Sequence, residues 1–288
     1  MYKDILKTLK INHYVKNLIV FIPLIFSLNF LKIDLITKSC VVFVAFCLIS
    51  SCVYVMNDLV DIEKDKLHFE KCKRPIASGR ISKKLAIFIL ILLFVFSVLC
   101  CCLLNRLCLL MVVCYFVLNV FYSFNFKNIP IIDVFCIALG FIFRVVAGCF
   151  AINVLASPLV ILLTFFVSMF FTFTKRKLEF QLIADNEKRR KSLKNFDIQI
   201  ANYFVLINAI LSISFYFTYV LDETTIKRAN SEFLYLTAIP FTLIVFRLLL
   251  LIFTTKEKDD PIHFVEKDLT IKVLFLFYFV VLAVVLIL

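Results

Sequence analysis

The chain of 288 residues is 63% hydrophobic, with 35 Phe, only 3 Gly and a mean hydropathy of +1.02, an apolar share that excludes a soluble domain and places the protein in a bilayer. Its 32 Lys and Arg outnumber 20 Asp and Glu, for a formal charge of +12, yet the basic loops hold no interleaved aromatics and no soluble binding module stands beside them. That pattern argues against nucleic acid as a partner and for anionic membrane lipids.

Nine runs long enough to cross about 30 Å of hydrocarbon are predicted, at about 17–34, 38–56, 85–104, 107–123, 131–152, 157–174, 200–221, 232–254 and 270–288. They are continuously apolar and too long for the alternating segments of a membrane barrel, so the fold expected is an all-α, polytopic bundle of nine transmembrane helices forming one domain over 1–288. No small-residue cleavage site follows the first run, which reads as a retained helix. The eleven Cys lie mostly inside the runs, without the paired spacing and histidines of a metal site, and read as small core hydrophobes.

Lys and Arg distribute unevenly between alternate loops. Four lie before the first run, eight in 57–84, one at Lys127, eight in 175–199 and four in 255–272, against five on the opposite side and two, Arg144 and Arg247, within runs. The positive-inside rule then puts the N-terminus and the charged loops in the cytoplasm and the C-terminus outside.

After the second run the sequence reads "NDLVDIEKD". At 100° per residue Asn57, Asp58, Asp61 and Asp65 fall within one arc of about 100° on a helix. Three carboxylates on one face repel one another unless a cation is present. Oxygen ligands without His or Cys suit a hard ion such as Mg²⁺, and carboxylates beside hydrocarbon are functional by default. Lys71, Lys73, Arg74 and Arg80 follow in a segment broken by Pro75 and Gly79, a turn suited to aiming guanidinium forks and backbone N–H groups at phosphate oxygens. Acids for a metal and bases for phosphate together describe a diphosphate-handling site.

Further along, Asp133 and Arg144 share a run but stand eleven residues apart, about 16 Å along a helix. They cannot pair directly, and each requires another partner or a polar cavity. Glu179 stands one turn from Lys175 and Arg176, at the spacing of a local ion pair. His68 and His263 read as loop residues.

"NDLVDIEKD" resembles the first aspartate-rich motif of the UbiA superfamily of membrane prenyltransferases, whose members are nine-helix bundles using Mg²⁺ and a diphosphate substrate. "HYVKN" at 13–17, "KRPIASGRIS" at 73–82, "YSFNFKNIPIIDVFCIALGFIFRVVAG" at 122–148 and "TKRKLEF" at 174–180 are similar to the decaprenyl-phosphate phosphoribosyltransferase branch. The resemblance implies phosphoribosyl pyrophosphate as donor, a polyprenyl phosphate as acceptor and a bacterial cytoplasmic membrane. It implies that Asn57, Asp58, Asp61 and Asp65 are the catalytic metal-holding set. Substrate contacts would come from Lys16, Asn17, Lys73, Arg74, Ser78, Tyr122, Lys127, Asp133, Arg144, Lys175, Arg176 and Glu179. One departure favours this branch. The wider superfamily carries a second aspartate set after the sixth run, where this chain has Lys175, Arg176, Lys177 and Glu179, and Asp185 has no carboxylate four residues on. Such a loop suits a phosphate monoester better than a second metal. Transfer of a prenyl group from its diphosphate to an aromatic or lipid acceptor is the alternative, and a non-enzymatic lipid transporter a second.

Overall fold

The computed structural model describes residues 2–68, 71–182, 197–254 and 261–287, with Ile262 described by its backbone alone. The basic cluster at 188–191, Lys194 and Asp185 lie outside the described residues. Tyr2–Leu9 (α1) leads into a 3₁₀ stretch, Ile11–Phe21, and a short helix, Ile22–Phe26 (α2). Then come Ile33–Val60 (α3), Ile62–Lys66 (α4), Lys83–Cys102 (α5), Arg106–Phe124 (α6), Ile132–Ala151 (α7) and Pro158–Leu182 (α8). Ile198–Leu221 (α9), Glu223–Ala229 (α10), Ala238–Thr254 (α11), Pro261–Lys267 (α12) and Leu269–Ile287 (α13) follow.

Among the described residues, eight helices are long and apolar enough to cross a membrane. The number is nine when Tyr2–Leu9 and Ile11–Phe26, bent by 42°, count as one span. The protein is an all-α polytopic membrane protein. With the bent pair counted as one, its first span differs from the expected 17–34, running from Tyr2 to Phe26. Hydropathy alone scores Asp4 and Lys10 against membrane proximity, but both are neutralised by distant partners, Asp4 by Arg80 at 3.0 Å and Lys10 by Asp58 at 3.0 Å.

The chain divides into two compact units, Met1–Phe126 with Ile142–Ala156, and Lys127–Phe141 with Ser157–Leu288. In the first, α3 packs along α5 and against α6 and the 3₁₀ stretch, around Val20, Val42, Phe46, Ile49 and Val112, all fully buried. Ser97 on α5 donates to the Ala45 carbonyl of α3 at 2.8 Å, meeting a polar need that hydrocarbon cannot. Side-chain caps fix the helix starts: Ser82 accepts from Leu85 N–H at 3.2 Å and Asn105 from Cys108 N–H at 2.8 Å. Gly148 permits a close backbone approach, because a Cβ there would stand 2.2 Å from the Val20 carbonyl oxygen.

In the second unit, α8 packs along α9 and α11 along α13. Phe173 and Ile271 are fully buried, and Phe173 stacks on Phe204 at 4.7 Å. The outer faces are apolar, with Phe88, Ile91 and Leu99 exposed on α5 and Phe246 and Leu276 on α11 and α13. Lipid tails solvate such faces where water would not. Six Cys are buried and all eleven are free thiols, in keeping with their reading as packing residues.

Candidate active site

The aspartate motif straddles the end of α3. Asp61 leaves helical geometry at φ −96°, ψ 11°, so the continuous helix expected over 57–65 is kinked there. The hydrogen-bond register survives: Asp61 N–H donates to Asn57 O at 3.0 Å and Asp65 N–H to Asp61 O at 2.8 Å. Asp58 and Asp65 are therefore still carried to one place. They are 2% and 3% exposed, and a single nitrogen of Arg74, Nη1, lies 3.1 Å from Asp58 Oδ1 and 2.7 Å from Asp65 Oδ2. Lys10 adds its ammonium to Asp58 Oδ1 at 3.0 Å and lies 4.9 Å from the Tyr54 ring centroid. Two buried carboxylates are thus compensated by two cations, as low-dielectric surroundings require.

The structure brings two of the four expected metal-site residues together. Asp61 is half-buried and 3.7 Å from Lys64, while the Asn57 amide oxygen accepts from the Ser123 hydroxyl. Among the described residues no three His, Cys, Asp or Glu side chains form a metal-binding group. Asp58 and Asp65 nevertheless fit a divalent cation. They already share one cationic nitrogen, and their oxygens suit a hard ion that takes its other ligands from water and substrate phosphate.

The segment after α4 holds Arg74 in position. Gly79 adopts φ +77°, a left-handed conformation glycine takes without penalty. Ser78 Oγ donates to Arg74 O at 2.8 Å and accepts from Arg80 Nε at 3.0 Å, and Arg80 Nη2 donates to Lys73 O at 2.6 Å. The predicted turn is present. Arg74 faces the carboxylates, Ser78 ties the backbone, and Lys73 is exposed.

The mid-span charges each find the separate partner that their spacing demanded. Arg144, 6% exposed, donates from Nε to Asn17 Oδ1 at 2.7 Å and from Nη2 to the Tyr115 hydroxyl at 3.0 Å, with its guanidinium 4.5 Å from the Tyr115 ring centroid. Asn17, 1% exposed, also donates to Ser50 Oγ and Cys47 Sγ, each at 3.3 Å. In the second unit Arg176 donates from Nε to Asp133 Oδ2 at 2.8 Å and from Nη1 to Glu179 Oε2 at 2.7 Å.

The segment read as a basic loop is helical. Lys175, Arg176, Lys177 and Glu179 lie within α8, which runs to Leu182. Lys, Arg, Leu and Glu are good helix formers, and no Gly or Pro interrupts them. Lys177, 2% exposed, lies 3.4 Å from the Ile252 carbonyl and 3.3 Å from the Phe253 ring centroid. Lys16, Tyr122, Lys127 and Lys175 are half-buried. His68 is exposed after α4, and His263 lies on α12, 3.3 Å from Glu266.

Sequence reasoning missed Lys10, Tyr115 and Ser123. The available signal for Lys10 was its place as the last of three Lys before "HYVKN"; Tyr115 and Ser123 sit in an apolar run with nothing to mark them. Arg247, noted within a run, reaches out to Asp268, with Nη2 to Oδ2 at 2.7 Å. The Arg247 hydrogen bond holds the Asp268 carboxyl below its ordinary range, aided by the Ile271 N–H.

Known proteins share both sequence and fold with this chain. A decaprenyl-phosphate phosphoribosyltransferase of Mycolicibacterium smegmatis is 26% identical over 287 residues, covering 96% of this chain and 90% of its own. The Mycobacterium tuberculosis protein of that name is 25% identical over 248 residues, covering 84% and 81%. A UbiA homolog from Archaeoglobus fulgidus, solved with DMAPP and Mg²⁺, superposes with a TM-score of 0.71 at 15% identity, covering 98% and 99% of the two chains. The family model of the UbiA prenyltransferases matches residues 20–277, and this chain belongs to the UbiA prenyltransferase family.

Proposed function

We propose that this protein is a Mg²⁺-dependent transferase that moves a 5-phosphoribosyl group from phosphoribosyl pyrophosphate to a polyprenyl phosphate, acting as one transferase domain over 1–288. The observation that carries this reading is the likeness to decaprenyl-phosphate phosphoribosyltransferases, which runs through 96% of the chain. The charge asymmetry of the loops supports a bacterial cytoplasmic membrane with the N-terminus and the aspartate motif on the cytoplasmic side, where a water-soluble donor is available.

The reaction breaks the anomeric C–O bond of the donor. The bond's electron pair leaves with pyrophosphate, and an oxygen of the acceptor phosphate bonds to the anomeric carbon. Bound Mg²⁺ supplies positive charge to the departing pyrophosphate. Asp58 and Asp65 would hold that ion, with Asp61 and Asn57 as further candidate oxygen donors at the end of α3. Arg74, now on the same two carboxylates, turns with Lys73 toward the donor's phosphates. The acceptor is an anion at neutral pH, so no general base is needed and neither His68 nor His263 is recruited. Arg144 is held by Asn17 and Tyr115 within the first unit, and Lys16, Asn17 and Arg144 are proposed substrate contacts. Asp133 and Glu179 orient Arg176, and Tyr122, Lys127 and Lys175 are further proposed substrate contacts.

The test is label transfer from radiolabelled phosphoribosyl pyrophosphate into the lipid phase, using purified protein in detergent with Mg²⁺ and a polyprenyl phosphate. Transfer that a chelator abolishes is the expected result. No transfer, together with no donor binding by calorimetry, overturns the reading in favour of a prenyl diphosphate donor.

A further inference from the structure

The break between α1 and the 3₁₀ stretch has no role in the reaction described above, yet it is the most unusual piece of backbone in the first unit. A 3₁₀ run of 11 residues is far longer than such helices normally sustain. At its start Lys10 adopts φ 52°, ψ 49°, a left-handed conformation that costs a side-chain-bearing residue strain a glycine would avoid. Strain of this kind persists where the surroundings over-determine it and is concentrated at functional positions.

Here the surroundings are specific. The Ser51 hydroxyl donates to Leu9 O at 2.8 Å and shares a 2.8 Å hydrogen bond with Tyr14. His13 N–H donates to Lys10 O at 2.9 Å, and the His13 and Tyr54 rings are 5.5 Å apart. Asp4, one helical turn and more before the break, is pinned to Arg80 at 3.0 Å. The chain is thus clamped on both sides of Lys10, and the result is a cavity of about 470 Å³ lined by Leu6, Lys7, Lys10, Ile11, Asn12 and His13.

That lining contains two ammonium groups, an amide and an imidazole, and no carboxylate. An ammonium has three N–H donors, of which Lys10 places one on Asp58. A basic anchor at the membrane surface would not need the strained backbone. We infer that this cavity is a phosphomonoester pocket, in which Lys10 and Lys7 hold a phosphate while Lys10 links the bound group to Asp58. The inference rests on the phosphoribosyl-transfer reading. Under that reading two molecules carry a phosphomonoester, the polyprenyl phosphate acceptor and the 5-phosphate end of the donor, and the pocket's chemistry suits either.

Calorimetry on the full chain in detergent separates these sources, using farnesyl monophosphate and phosphoribosyl pyrophosphate as probes against wild type, Lys10→Gly and Lys7→Gln. Lys10→Gly removes the ammonium and relieves the left-handed backbone, and Lys7→Gln leaves Asp58 and its partners untouched. Losing one charge-assisted hydrogen bond weakens binding about tenfold or more, and losing a more exposed charge about threefold. The expected result is that both variants weaken farnesyl monophosphate by these factors while Lys7→Gln, which does not touch Asp58, leaves the donor within about twofold, which assigns the pocket to the lipid headgroup. The converse pattern assigns it to the donor. Unchanged affinity for both probes in both variants overturns the pocket. If wild type binds neither probe, the transfer reading falls, and inorganic phosphate then decides the pocket: equal affinity in wild type and Lys10→Gly overturns it.

Discussion

Replacing Arg74 by Gln tests whether the two buried aspartates form a cation site. One guanidinium nitrogen now serves Asp58 and Asp65, at 3.1 and 2.7 Å. Without it, two carboxylates with side chains 2% and 5% exposed confront each other, and only Lys10 remains on Asp58. Removing one partner of a fully buried pair costs about 3–5 kcal/mol. The Arg74 side chain is 31% exposed, so solvent screening discounts this to about 2–3 kcal/mol, or roughly 5–10 °C in Tm. Mg²⁺ draws on the same oxygens as the guanidinium. The variant should therefore recover much of its lost Tm in millimolar Mg²⁺, while wild type, which must displace Arg74, gains less. Thermal unfolding of purified protein in detergent, in chelator and in Mg²⁺, measures both effects. An Arg74→Gln protein as stable as wild type in chelator, or no more responsive to Mg²⁺, would refute the reasoning.

Arg176→Leu removes the guanidinium 2.8 Å from buried Asp133 and should lower stability by about 3–5 kcal/mol; adding Asp133→Asn should restore most of it, and a double variant no better than the single would sink the pairing argument. Gly148→Ala places a Cβ 2.2 Å from the Val20 carbonyl oxygen, so a loss of about 1–3 kcal/mol is expected from forced separation, read as a lower Tm; an unchanged Tm would show that the approach is not tight. Asp268 sits below the usual carboxylate range because Arg247 bonds it, and it caps α13 through Ile271 N–H at 2.8 Å. Asp268→Asn keeps a capping oxygen and removes the charge. A carboxyl with a depressed folded pKa adds stability above its unfolded value, about 4, and loses it as pH falls through the folded value. The Tm gap between wild type and Asp268→Asn should be open at pH 7 and close below about pH 4; a gap that stays constant contradicts the assignment.

Much of this protein is legible in its sequence because the deciding physics is local. Backbone groups in hydrocarbon must be satisfied within the segment, so a long apolar run is a helix whatever surrounds it, and the eight single-helix spans follow from composition alone. The Asn57 to Asp65 motif is legible for the same reason, since helical spacing places Asp58 and Asp65 on one side even across the kink at Asp61. The incompatibility of Asp133 with Arg144 followed from rise per residue.

What only the tertiary structure decided is which charges meet. Arg74 could have faced a phosphate or a carboxylate; it faces Asp58 and Asp65. Asn17, read as a substrate contact, accepts from Arg144, 127 residues away, while Lys10 reaches Asp58 across 48. The run from Lys175 to Glu179 has the charge of a loop, but Asp133, brought over from α7, neutralises Arg176 and lets α8 continue. Charge in a sequence states how much compensation a buried group requires. The identity of the compensating group depends on which helices pack together, and helix packing is set by contacts between residues far apart in the chain, which no local period encodes.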